Sequence, residues 1–129
     1  MRTELLYLTL TAALTGLLWI PYTYNRVQVW GLAATMGYPK NPKLLAPWAE
    51  RMKKAHYNAI ENLVLFAALV LVAHALNKFG NATSWSAMTY FWARLAHAVV
   101  MTLGIPWLRT ISFTVGWLAC VCIFTQIFL

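Results

Sequence analysis

The chain alternates long apolar segments with short polar breaks. Four apolar segments cover about residues 4–24, 47–76, 84–103 and 107–129. Each is long enough to cross ~30 Å of hydrocarbon as a helix rising about 1.5 Å per residue. Gly31, Gly37, Pro39 and Pro42 interrupt the one long connection, residues 27–46. Gly80 marks the second connection, and Gly104-Ile105-Pro106 makes a tight third. Pro47 suits a first-turn position, where its missing N–H leaves no bond unmade. Pro21 is expected to kink or end the first helix, close to Trp19, Tyr22 and Tyr24, which read as an interfacial aromatic belt. Residues 27–36 are apolar enough to lie against the membrane interface or another subunit. Thr83 or Ser84 is placed to cap the third helix. The pattern predicts an all-α, integral membrane four-helix bundle, a single domain over residues 1–129.

The second segment breaks the apolar pattern in an ordered way. Its opening turns carry Arg51, Lys53 and Lys54, and Asn58 and Glu61 follow at helical spacing. At about 100° per residue, Arg51, Lys54, Asn58 and Glu61 fall within a sector of roughly 80°. His56 points well away from that stripe. A charged side chain at bilayer depth costs about 2.5–3.5 kcal/mol on insertion scales, so Glu61 must face protein or water. Two readings follow: Glu61 pairs with a cation and joins helices, or it belongs to a functional site.

The third segment carries Arg94, His97 and Met101, three and four residues apart and so on one face. Arg94 needs a partner, and Glu61 is the one acid available inside the membrane, so an Arg94–Glu61 pair is expected. The alternative is that Arg94 snorkels to the headgroups along its apolar stem. Arg109 and Thr110 lie in the first turn of the fourth segment.

Composition narrows the class. The chain is 61% hydrophobic and 10% charged, too apolar for a soluble domain of 129 residues. Its net charge of +7 comes from cations that flank apolar segments. No basic stripe interleaves with exposed aromatics, so the expected partner is membrane lipid rather than nucleic acid. Arg26, Lys40, Lys43, Arg51, Lys53, Lys54 and Arg109 cluster at the first and third connections, against Arg2 and Lys78 on the other side. The positive-inside rule then puts loops one and three in the cytoplasm and both termini opposite. Cys120 and Cys122 point to different faces of one helix and read as small apolar fillers, with no metal spacing nearby. The N-terminal apolar stretch lacks a small-x-small cleavage site before Pro21 and reads as a retained helix. The cationic stripe beside apolar surface describes a membrane-embedded anion site that would suit a carboxylate-bearing ligand and a lipophilic co-substrate.

These residues resemble a known family. Glu50-Arg51-x-x-Lys54-Ala55-His56-x-Asn58-x-x-Glu61 is similar to the helix-two signature of the MAPEG family, the membrane-associated proteins in eicosanoid and glutathione metabolism. Arg94-Leu95-Ala96-His97 resembles that family's R-x-x-H, and Arg109-Thr110-x-x-Phe113 its R-S/T-x-x-Y. The three blocks occur in the family's order, and the chain resembles a bacterial-type microsomal glutathione transferase-like member. The resemblance implies a homotrimer, glutathione held between subunits near the cytoplasmic leaflet, and a location in a bacterial inner membrane. It implies a glutathione-dependent transferase or peroxidase for lipophilic electrophiles or hydroperoxides, or else a non-catalytic lipid-binding or accessory relative. By matching position, Arg109 would be catalytic and stabilise the thiolate. Arg26, Arg51, Lys54, Asn58, Glu61, Arg94, His97 and Thr110 would form the glutathione site, with no metal. The chain departs from the family at Met101, where several members place Tyr, at Phe113, which lacks a tyrosine hydroxyl, and at Tyr57, where some carry Arg. A small proton-coupled transporter using Glu61 is a further reading that follows from the intramembrane acid alone.

Overall fold

A computed structural model describes all residues, 1–129, as six helices without strands: α1 (Thr3–Leu17), α2 (Trp19–Trp30), α3 (Leu32–Met36), α4 (Pro47–Ala75), α5 (Asn81–Leu103) and α6 (Pro106–Phe128). Helices α1 and α2 are nearly collinear, and together Thr3–Trp30 is long and apolar enough to cross a membrane, as are Pro47–Ala75 and Pro106–Phe128. The break between them falls at Leu18, not at Pro21 or beyond it. A proline inside a helix has no N–H to donate and its ring crowds the carbonyl four residues back, here that of Leu17. The helix absorbs this in one turn and resumes to Trp30. The chain expected to leave the membrane as loop after Tyr24 is therefore helical through Arg26, and Gly31 (φ 85°) ends it.

Helix α5 is the hub. It packs most extensively on α6 and also on α1 and α4, whereas the backbones of α1 and α6 do not approach each other closely. Its contacts use small side chains that let backbones approach, among them Ala87, Ala93 and Ala98 on α5 against Ala59 on α4 and Gly116 and Ala119 on α6. The main core joins α4, α5 and α6 through Phe66, Val70, Tyr90, Cys120 and Ile123. Phe66 and Tyr90 stack with ring centroids 3.9 Å apart. The outward faces keep Val64, Leu71, Ile111, Trp117 and Leu118 exposed, the arrangement lipid-facing helices require.

Each connection is fixed by specific bonds. Helix α4 ends with Asn77 in the left-handed region (φ 56°), whose neighbour Lys78 donates its N–H to Ala73. Helix α5 starts at Asn81, ahead of the expected start. The Thr83 hydroxyl accepts the Gly80 N–H at 2.8 Å and donates to Glu4 Oε2 at 2.6 Å, which ties α1 to the start of α5. At the other end Gly104 (φ 79°) closes α5, and Pro106 opens α6. Within the long connection, Leu45 N–H donates to Glu50, Ala46 N–H to Asn25, and the Trp30 indole to the Lys43 carbonyl.

Candidate functional site

Helix α4 presents Arg51, Lys54 and Asn58 toward the end of the molecule where α5 turns into α6. Arg51 is held rather than free: its Nε donates to the Thr102 carbonyl at 2.9 Å, one of the last carbonyls of α5. Its side chain fills the space beside Gly104, where a Cβ would come within 3.1 Å of that nitrogen. Arg51 thereby braces the turn that sets the start of α6, and hence Arg109 and Thr110.

Two adjoining cavities open here. The first, about 270 Å³, is lined by Asn58, His97, Met101, Arg109, Thr110 and Phe113. The second, about 230 Å³, is lined by Arg51, Lys54, Met101, Gly104, Ile105, Pro106 and Arg109. Met101 and Arg109 line both and form the partition between them. The second cavity carries three cations and no acid. The first is polar on the α4 side and apolar at Met101 and Phe113. Its His97 ring lies 6.2 Å from that of Phe113.

Arg94 lies behind the first cavity and is 4% exposed. It donates from Nη2 to Asn58 Oδ1 at 2.6 Å, so the expected Arg94–Glu61 pair does not form, nor does Arg94 snorkel outward. Register explains this: Asn58 is level with Arg94, and Glu61 lies nearly a turn further along α4, exposed and outside both cavities. The Nε of Arg94 and the Nδ1 of His97 are buried without a hydrogen-bond partner in this single chain. A guanidinium with one neutral acceptor is an electrostatically incomplete arrangement that favours a nearby anion.

Arg26 does not join this cluster within one chain. It lies on α2, its guanidinium 5.7 Å from the Tyr22 ring centroid and 5.2 Å from that of Trp30. Tyr22 bonds His56 Nδ1 at 2.7 Å, on the flank of α4 away from the polar stripe. Asn62 is a contributor that sequence reasoning passed over: its amide donates to the Asn58 carbonyl at 2.9 Å and lies 3.4 Å from Oδ1. The signal was present, because Asn62 follows Asn58 by four residues on the same face. No group of three His, Cys, Asp or Glu side chains converges to hold a metal.

The architecture and this polar cleft define a helical membrane protein with an anion-favouring site at one end of its spans. The MAPEG family profile matches residues 7–129, and the chain belongs to that family, a membrane family of glutathione and eicosanoid metabolism. No curated protein and no solved structure matches the chain.

Proposed function

We propose that this protein is a glutathione-dependent membrane transferase or peroxidase acting on lipophilic electrophiles or hydroperoxides. In this reading it works as a homotrimer of four-span subunits, with the thiol site near the cytoplasmic leaflet. One observation carries the proposal. Asn58, His97, Arg109 and Thr110, from three separate sequence blocks, line a single cavity that adjoins an acid-free pocket of Arg51, Lys54 and Arg109.

The residues fit the tripeptide's chemistry. Its carboxylates match the cationic pocket, where Arg51 offers a planar fork and Lys54 a point charge. Glu61, exposed on the same helix, suits its ammonium group, and a neighbouring subunit would cover that carboxylate in the membrane. Arg26, which stands apart within one chain, would then reach a carboxylate across the subunit boundary. Glutathione would supply the nucleophilic sulfur. Arg109, permanently charged and shared by both cavities, favours negative charge on a sulfur placed between them. Thr110 offers a hydroxyl to the same cavity. Arg94 holds Asn58 in orientation, and His97 lines the wall beside it. Met101 and Phe113 keep water from one side and present apolar surface to a lipophilic co-substrate.

Calorimetry of glutathione binding to the detergent-purified protein, beside Arg109→Ala, tests the reading. Binding in the micromolar-to-millimolar range and a roughly 100-fold or greater loss of conjugation in the variant are expected, the usual scale for deleting one charge-stabilising donor. Normal turnover in Arg109→Ala would remove the assigned role. A second reading is favoured by the missing hydroxyls at Met101 and Phe113: a non-catalytic relative that holds a lipid in the cleft. Efficient conjugation of a model electrophile would rule that out.

A further inference from the structure

Outside the cleft, the segment joining α2 to α4 has a property that the thiol site does not use. Its end, residues 43–46, is pinned through the bonds from Trp30, Leu45 and Ala46, with Leu45 buried against Tyr22 and Ala49, and its start is the short helix α3. Yet Leu32, Met36, Tyr38 and Leu44 stand 63%, 79%, 101% and 83% exposed. A segment anchored at both ends that turns four large apolar side chains outward presents an apolar surface. Lys40 and Lys43 are exposed among them, and the sequence has no acid between Glu4 and Glu50. The surface lies beyond Trp30 and before Pro47, at the ends of two membrane-length helices. Apolar side chains beside exposed lysines that form no ion pair at that level complement one environment, the boundary between acyl chains and anionic headgroups.

We infer that residues 31–46 form a membrane-surface foot that seats Leu32, Met36, Tyr38 and Leu44 in the headgroup region and holds anionic phospholipid through Lys40 and Lys43. The foot is distinct from the thiol cleft, and its test needs no turnover. A Met36→Cys protein that also carries Cys122→Ala is labelled at residue 36 with a fluorophore, Cys120 being buried, and reconstituted into phosphatidylcholine vesicles. Spin-labelled phosphatidylglycerol or spin-labelled phosphatidylcholine is then titrated in as quencher. At about fivefold per lysine before screening, the anionic quencher should act at a roughly tenfold lower mole fraction than the neutral one. Lys40→Gln with Lys43→Gln should bring the two quenchers together, whereas Lys78→Gln, at the opposite end, should leave the preference intact. Equal quenching in the parent protein overturns the proposal, as does a preference that survives loss of both lysines. Absence of quenching by either lipid overturns it too and would mean that another copy of the chain or another protein covers the foot.

Discussion

Asn58→Ala is the perturbation that separates structure from binding most sharply. In the native chain the buried Arg94 guanidinium has Asn58 Oδ1 as its hydrogen-bond acceptor, at 2.6 Å. Truncation leaves a guanidinium that is 4% exposed with no acceptor. A hydrogen bond to a charged group is worth about 1.5–3 kcal/mol, and stranding a buried charge costs about 3–5 kcal/mol. The cavity beside Asn58 admits water, which recovers part of this, so a loss of about 2–3 kcal/mol is expected. The assay is equilibrium unfolding in mixed detergent micelles followed by circular dichroism, without glutathione. Arg94→Met alone should lose less, because it removes the charge and keeps much of the apolar stem. The double variant should be no worse than Asn58→Ala, giving a coupling energy above about 1 kcal/mol in the cycle. Additive losses would refute the reasoning and show that the two side chains act independently despite their contact.

Three further outcomes follow from contacts elsewhere. Thr83→Val should cost about 1–3 kcal/mol, because Glu4, 1% exposed, loses its donor, and Thr83→Ser should restore most of it in the same unfolding assay. Gly104→Ala should lose about 1–2 kcal/mol from its left-handed backbone. It should also weaken glutathione binding by calorimetry, since the added Cβ displaces the Arg51 side chain from its place at the cleft. Tyr22→Phe should lose about 1 kcal/mol with the His56 bond while leaving conjugation nearly unchanged, because that bond lies on the other flank of α4.

The polar stripe of α4 was legible because helical spacing alone decides which residues share a face. Spacing also grouped Arg94 with His97 and Met101, whereas Arg109 and Thr110 were joined to the site by the family resemblance. What spacing does not give is the axial register of one helix against another. Arg94 was matched to Glu61 by charge, but the α4–α5 packing, set by Ala59, Ala98 and the Phe66–Tyr90 stack, brings it level with Asn58. The first helix was cut short for a related reason. Asn25, Arg26 and Gln28 look like loop residues, yet Asn25 is buried because it accepts the Ala46 N–H, and Arg26 rests on Tyr22 and Trp30. Those partners come from the long connection and the helix itself, and periodicity does not register them.

The central helix has a consequence for how the chain is made. Helix α5 is absent from the three segments apolar enough to enter lipid unaided, and it carries Arg94 and His97 at its middle. Its neighbours α1 and α4 precede it in synthesis, but α6, against which it packs most extensively, follows it. Arg94 finds Asn58 only once α4 and α5 lie side by side, and Gly116 of α6 then closes over its stem. The cleft is therefore completed only after α6 follows α5 out of the ribosome, and the position of α5 rests on its protein neighbours rather than on its own partition into lipid.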